Sequence, residues 1–129
     1  MAQRLILIDT SILIDFFRKT DKSNSTLISL VEQGFSYCIS AISEYEIYTG
    51  ATISQIEYWE NFLQQIDVLP FDKIVAQKAV EINRQLKKKR KQIAIPDLFI
   101  AATALAHNLP IATLNKKHFD RIDSLVITE

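Results

Sequence analysis

The apolar run Leu5–Ile8, which ends at the acidic residue Asp9, constrains the fold of this chain more than any other segment. Every residue of the run is apolar, whereas a strand with one face in water alternates apolar and polar residues. A continuous run of this kind is typical of a strand that is buried on both faces. It therefore predicts a sheet that other elements cover on either side.

Segments of strand and helix character alternate along the rest of the chain. Helices are predicted at Ser11–Phe17, Ser23–Gln33, Ala41–Thr49, Thr52–Gln65, Phe71–Lys89 and Asp97–His107, and further strands at Phe35–Ile39, Asp67–Leu69, Leu109–Ala112 and Leu125–Thr128. This alternation indicates an α/β fold with a parallel sheet. Such sheets place their sites beyond the carboxyl ends of the strands, where Asp9 and the segment Thr113–Asn115 are expected.

The bulk properties indicate one domain over residues 1–129. The composition is 48% hydrophobic with 2 Gly and 3 Pro, which argues against a disordered chain. The single cysteine, Cys38, excludes an internal disulfide and is expected in the core. No long apolar segment begins the chain, so neither a signal peptide nor a membrane span is predicted, and a cytoplasmic location is expected.

Three acidic residues, Asp9, Glu46 and Asp97, are expected near one edge of the sheet. Each has an ordinary explanation when it is taken alone. Asp9 and Asp97 could cap the helices that they precede, and Glu46 could form a capping box with Ser43. Together they suggest a different role, because Mg²⁺ and Mn²⁺ prefer hard oxygen ligands. Three converging carboxylates repel each other unless a cation is bound, so the pattern suggests a metal-dependent nuclease.

Four motifs in order resemble those of the PIN domain family, and more closely its VapC-type toxins of toxin–antitoxin pairs. The motifs are Leu7-Ile-Asp9-Thr-Ser-Ile-Leu-Ile, Glu46-Ile-Tyr-Thr-Gly50, Asp97-Leu-Phe-Ile-Ala-Ala-Thr-Ala and Leu109-Pro-Ile-Ala-Thr-Leu-Asn115-Lys-Lys-His-Phe119. The resemblance covers nearly the whole chain and implies a three-layer α/β/α sandwich with a central parallel sheet. It also implies a Mg²⁺-dependent or Mn²⁺-dependent endoribonuclease that cleaves RNA phosphodiesters with a metal-activated water.

The resemblance assigns roles to residues of each motif. It makes Asp9, Glu46 and Asp97 the metal ligands, with Glu46 preferred to Glu44 because Gly50 fixes the register. The fourth motif departs from the family, which often has a further acid there. This chain has Asn115 and His118, so the number of metal ions stays open. Small polar residues are expected to line the pocket: Thr10, Ser11 and Thr113.

Asn115 is the expected fourth catalytic residue, because its amide can hydrogen-bond to a phosphate or to a water. Asp120 is close enough in sequence to supply the missing acid instead. His118 is interpreted as a surface or satisfied histidine rather than a catalytic one. His107 is interpreted as structural, because a histidine at the end of a helix suits the helix dipole.

Charge is distributed unevenly although the net charge is zero. Residues 23–72 hold seven acids and no Lys or Arg, whereas residues 73–129 hold eleven bases and five acids. This asymmetry suggests a basic rim beside an acidic pocket, or charges that merely follow solvated helix faces. A rim that binds RNA phosphates is predicted at Arg84, Lys87, Lys88, Arg90 and Lys91, with favourable charge at a helix C-terminus as the alternative.

The resemblance further implies a VapB-like antitoxin whose C-terminal segment crosses the site, and a homodimer. A groove or dimer face could use the aromatic residues Tyr45, Tyr48, Tyr58, Trp59 and Phe62, although helical spacing places most of them in the core. The alternative function is a catalytically silent PIN domain that binds RNA or protein. Transfer RNA, ribosomal RNA and messenger RNA are all compatible substrates. A haloacid-dehalogenase-type phosphatase is excluded because Ser11 stands where its second Asp is required.

Overall fold

The computed structural model describes residues 4–128. The strands are β1 (Arg4–Ile8), β2 (Phe35–Ser40), β3 (Asp67–Leu69), β4 (Ile111–Ala112) and β5 (Ile127–Thr128). The helices are α1 (Thr10–Arg18), α2 (Thr26–Glu32), α3 (Ala41–Gly50), α4 (Ile53–Leu63), α5 (Lys73–Lys88), α6 (Ile95–Ala106) and α7 (Lys116–Phe119), and a 3-10 turn covers Lys22–Asn24. Residues 1–3 and 129 of the predicted domain lie outside the described residues.

The strands form one parallel sheet in the order β3-β2-β1-β4-β5. β1 lies at its centre, and successive side chains of a strand point to opposite faces. Ile6 and Ile8 accordingly pack on one face, whereas Leu7 packs on the other, and all three are fully buried. The prediction of a strand buried on both faces is confirmed for these three residues, because a helical layer covers each side. Leu5, the first residue of the predicted run, is instead 40% exposed.

The two layers have separate hydrophobic cores. Apolar residues of α1–α4, among them Leu13, Leu30 and Trp59, cover the face of Ile6 and Ile8. Residues of α5 and α6 cover the opposite face. The expected three-layer α/β/α sandwich with a central parallel sheet is therefore the observed architecture.

Cys38 of β2 is fully buried, as expected, and its thiol lies 3.7 Å from the carbonyl oxygen of Ile6. Burial, with a smaller contribution from Asp67, raises the pKa of this thiol to about 11. The thiol therefore stays protonated and behaves as a small core side chain.

Most helices begin at a side-chain cap that the sequence provides. Asp9 caps α1, Ser25 caps α2 and Asp72 caps α5, each by accepting a backbone N–H bond. The helix predicted to start at Ser23 starts after Ser25 instead, because Ser25 provides the cap. After α2 the chain turns at Gly34 with a φ of 96°, a backbone angle that residues with a side chain rarely adopt.

Two of the ordinary explanations for the acids are wrong. Glu46 lies inside α3, which Ser40 caps, so it forms no capping box with Ser43. α6 begins at Ile95 rather than at Asp97, because Pro96 is well suited to the first turn of a helix. Asp97 therefore sits in that first turn and is not the cap. The short helix α7 was not expected from the sequence, since its four residues carry no apolar period.

Of the five aromatic residues proposed for a groove, Trp59 is buried, and Tyr48, Tyr58 and Phe62 pack against the same core. Tyr45 is instead exposed. Core packing is therefore the better description of most of this set. No helix within residues 4–128 is both long and apolar enough to cross a lipid bilayer.

Candidate active site

The site lies where the order of strands reverses. β1 and β4 are neighbours in the sheet, but the chain leaves them toward α1 and α7, which pack on opposite faces. The backbone N–H of Asp9 donates to the carbonyl of Ala112 at 3.1 Å, so the two strand ends stay side by side. Elements that diverge from adjacent strand ends leave a crevice, which is the usual ligand site of open parallel sheets.

Asp9 stands at the bottom of this crevice and is only 3% exposed. Its Oδ1 accepts hydrogen bonds from the backbone N–H and the hydroxyl of Ser11. Its Oδ2 accepts a bond from the Thr113 hydroxyl at 2.6 Å. Burial raises the pKa of Asp9, and these hydrogen bonds partly oppose that rise. The carboxylate is thus held in one orientation, although its surroundings disfavour its charge.

Glu46 reaches the crevice from α3. Its Oε1 accepts a hydrogen bond of 2.7 Å from the hydroxyl of Thr10, the first residue of α1. The same hydroxyl oxygen lies 3.0 Å from the hydroxyl oxygen of Ser43. Thr10 therefore joins α1 to α3 and fixes the second carboxylate beside the first.

Asp97 enters from the first turn of α6. Its Oδ2 lies 3.0 Å from Nδ1 of His118 in α7. The two side chains are 22% and 54% exposed, so the pair lies at the mouth of the crevice rather than at its bottom. The interpretation of His118 as a surface or satisfied histidine agrees with its exposure, but the sequence did not identify Asp97 as its partner. The signal available was its place in the fourth motif, three residues after Asn115.

These side chains line one cleft of about 330 Å³, which we call the acidic cleft. Among its lining residues are the three acids Asp9, Glu46 and Asp97. The other predicted site residues that line it are Thr10, Ser11 and Asn115, and His118 joins them. Thr113 does not line the cleft itself but donates a hydrogen bond to Asp9. The fold therefore brings together the expected site residues of all four motifs.

The loop after β4 is tied to the start of α1. The backbone N–H of Leu114 donates to the Ser11 hydroxyl at 3.0 Å, and that of Asn115 donates to the Thr113 hydroxyl at 2.9 Å. Both hydroxyls also donate to Asp9. A hydrogen-bonded network therefore positions Asn115 at the wall of the acidic cleft.

The donor chemistry of the acidic cleft fits Mg²⁺ or Mn²⁺. Carboxylate, hydroxyl and amide oxygens are hard ligands, and no sulfur donor lines the cleft. Among residues 4–128, no three acidic, His or Cys side chains stand close enough to hold a metal ion alone. Mg²⁺ usually takes one or two carboxylates and completes its shell with waters and substrate phosphates. The open arrangement fits that mode of binding rather than a closed cage.

Other sequence candidates lie outside the acidic cleft. Asp120, the possible replacement acid, is exposed at the end of α7 and does not line the cleft. The expected basic rim is also exposed, but none of its residues within the described chain lines the cleft: Arg84, Lys87, Lys88, Arg90 and Lys91. From the loop between α5 and α6, the residue that lines the cleft is Ala94.

Comparisons with known proteins agree with this fold. The family profile of the PIN domain matches residues 6–125. Ribonuclease VapC1 of Methanocaldococcus jannaschii is 36% identical over 118 residues, which span 91% of this chain and 80% of that protein. Ribonuclease VapC10 of Mycobacterium tuberculosis is 31% identical over 122 residues, which span 94% and 90%.

Solved structures show the same relationship. The structure of VapBC-1 from nontypeable Haemophilus influenzae matches with a TM-score of 0.82 at 25% identity and covers 97% of both chains. The parallel α/β/α sandwich of this chain is the fold that it shares with that structure. The chain therefore belongs to the PIN domain family, and within that family to the VapC type.

Proposed function

We propose that this chain is a divalent-metal-dependent endoribonuclease and the toxin of a VapBC-type toxin–antitoxin pair. The observation that carries the proposal is the meeting of Asp9, Glu46 and Asp97 in one cleft at the switch point of the sheet. VapC-type relatives that carry the name ribonuclease support the activity. The oxygen-rich lining of the cleft supports Mg²⁺ or Mn²⁺ as the cofactor.

The chain's own residues would hold and orient the acids. Ser11 and Thr113 fix Asp9, and Thr10 fixes Glu46, so these carboxylates offer their lone pairs in preset directions. Such supporting hydrogen bonds reduce the ordering that ligand binding requires. A bound Mg²⁺ or Mn²⁺ ion would supply Lewis acidity toward water and the phosphodiester.

Two further side chains at the cleft act beside the acids. The amide of Asn115 is uncharged, so it can donate to a phosphate oxygen without adding to the repulsion that three carboxylates exert. His118 acts as a positioning residue, because its contact with Oδ2 of Asp97 leaves the other carboxylate oxygen available. Neither residue needs to form a covalent bond with the substrate.

The decisive experiment is cleavage of end-labelled RNA by wild type and by the Asp97→Asn variant. Wild type should cut with Mg²⁺ or Mn²⁺, stop in EDTA, and leave 5′-phosphate and 3′-hydroxyl ends. Asp97→Asn should lose at least about 100-fold in rate, since it removes a ligand of the proposed ion. Asp120→Asn is the matched control, because the same change falls outside the cleft and should leave the rate unchanged.

Full activity in Asp97→Asn would refute the assignment. Tight RNA binding by wild type without any cleavage would instead favour the alternative of a catalytically silent module. That alternative is kept because Asn115 and His118 occupy the region where the family often has a further acid. Circular dichroism of both variants verifies that each retains its fold.

The assignment extends to partners and location. Solved structures of VapBC complexes support a VapB-like antitoxin as partner. We propose that a C-terminal segment of that antitoxin crosses the acidic cleft. A second cleft adjoins the first through Glu46 and is lined by Phe17 and Trp59, which offers apolar surface for such a segment. We also expect one domain over residues 1–129 and a cytoplasmic location. We further expect a homodimer, and light scattering of the purified chain would test this oligomeric state.

A further inference from the structure

The acidic cleft continues on two sides into pockets that carry positive charge. One neighbouring pocket shares Ser11 and Asn115 with the cleft and is lined by Arg18 and Lys19. We call it the α1 pocket. The α7 pocket shares Asp97 and His118 with the cleft and is lined by Lys117 and Arg121. The acids therefore lie between two groups of cations that the sequence analysis did not identify.

Arg18 is the cation of the α1 pocket that has no partner within the described residues. It lies exposed in the last turn of α1 and also lines the cleft that adjoins Glu46. Within residues 4–128 its guanidinium forms no ion pair or hydrogen bond. Its neighbour Lys19 is instead engaged with Asp15 at 3.6 Å. Arg18 is thus the cation on this side whose donors are available to a ligand.

Lys117 holds the corresponding place in the α7 pocket. It precedes His118 in α7, and no residue in the described part of the chain pairs with its ammonium group. Arg121 lies beside it and donates from Nη1 to the carbonyl of Gln92 at 3.3 Å, which ties its guanidinium to the loop before α6. The other N–H groups of Arg121 remain available, because a guanidinium has five donors.

The cations in the two pockets can offset the repulsion between RNA phosphates and the three carboxylates. An RNA strand that enters a cleft lined by three carboxylates is repelled wherever its phosphates are not neutralised. A cation bound by the acids can neutralise only the phosphate that is cut. The phosphates on either side need separate partners, and unpaired Arg and Lys side chains are the usual ones.

We propose that the RNA backbone crosses the acidic cleft from Arg18 to Lys117 and Arg121, so that each flank of the scissile phosphate has its own cation. This inference rests on the proposed ribonuclease function and deepens it by naming the path of the substrate. It replaces the expected rim at Lys87 and Lys88 as the principal phosphate contact, since those side chains do not reach the cleft or the two pockets beside it.

The salt dependence of binding tests this path. A labelled single-stranded RNA that wild type cleaves is titrated with Asp97→Asn protein, so that the RNA stays intact, over a range of salt concentrations. Adding Arg18→Gln or Lys117→Gln should reduce the slope of log K against log salt by roughly 0.7 for each lost contact. Lys87→Gln with Lys88→Gln is the control for loss of charge elsewhere and should leave the slope unchanged.

Shortened RNAs test the two-sided geometry. The effect of Arg18→Gln should vanish on an RNA trimmed on one side of the cut, and that of Lys117→Gln on an RNA trimmed on the other side. If both effects vanish with the same truncation, the proposed path is wrong. Arg18→Lys retains the charge and should keep the wild-type slope, which separates a lost phosphate contact from a damaged helix.

The outcomes also separate this inference from the function beneath it. If wild type neither binds nor cleaves RNA, the proposed function and the path fail together. If wild type cleaves RNA but the slope is unchanged in Arg18→Gln and Lys117→Gln, only the path is overturned. If the Lys87→Gln and Lys88→Gln control reduces the salt slope equally, the proposed path is also overturned. RNA binding would then depend on the overall charge of the protein alone.

Discussion

Asp9 is both the N-cap of α1 and a lining residue of the acidic cleft. Its Oδ1 caps α1 through the N–H of Ser11, and the same carboxylate lines the acidic cleft. Capping is therefore compatible with the proposed metal ligation at this residue. Both interpretations can hold together, because Oδ2 accepts only one hydrogen bond and a carboxylate oxygen has two lone-pair sites.

The burial of Asp9 predicts an unusual effect on stability. Its raised pKa means that the ionised carboxylate costs folding free energy at neutral pH. Below the ordinary value of 3.8 the carboxyl is protonated in both states and the cost disappears; it grows as pH rises through the raised pKa. Asp9→Asn should therefore melt above wild type at pH 7 in EDTA, and the gap should narrow toward pH 4.

Thermal melting monitored by circular dichroism measures this difference. Glu44→Gln removes a charge from a half-buried position in the first turn of α3 and serves as the control, with little expected change. A lower melting temperature for Asp9→Asn at pH 7 would mean that the bonds from Ser11 and Thr113 outweigh the cost of burial.

Thr10 provides a second prediction at the level of the residue. Thr10→Val keeps the shape of the side chain but removes the hydrogen bond to Glu46. Loss of such a supporting contact typically costs about 10-fold to 100-fold in metal affinity or activity. RNA cleavage over a Mg²⁺ titration should show that loss, whereas Thr49→Val, whose hydroxyl contacts only backbone carbonyls, should not. Equal rates in both variants would contradict the role given to Thr10.

Among the elements, the strands and the longer helices could be predicted, whereas the four-residue helix α7 could not. β1 was predicted because its apolar run has one explanation, and α5 because its apolar residues keep the helical period. α7 has four residues and no such period, so nothing local distinguishes it from a loop. It nevertheless brings Lys117 and His118 to the cleft, and Phe119 anchors it in the core.

The cap of α5 allows a prediction about an element away from the site. The Asp72 carboxylate accepts a bond from the N–H of Val75 at 3.0 Å. Asp72→Ala should lower the free energy of unfolding by about 1 kcal/mol, because a helix N-terminus then lacks its acceptor. Asp72→Asn keeps an acceptor and should lose much less. Urea unfolding measures both changes, and RNA cleavage should be unaffected in either variant.

At the scale of the whole molecule, metal binding should be coupled to folding. A ligand that binds only the folded state raises its melting temperature according to concentration and affinity. Millimolar Mg²⁺ or Mn²⁺ should therefore raise the melting temperature of wild type and have little effect on Asp97→Asn. A similar rise in both proteins would place the responsible ion outside the acidic cleft.

The fold class, the three acids and most of the residues around them can be predicted from the amino-acid sequence. These predictions follow from apolar periodicity and from motifs whose residues are close together along the chain. Three contacts are visible only in the folded chain: Thr10 donates to Glu46, His118 pairs with Asp97, and Arg18 and Lys117 flank the cleft. Such contacts depend on how α1, α3, α6 and α7 pack around one edge of the sheet. Local sequence patterns predict the elements themselves but not the distances between them.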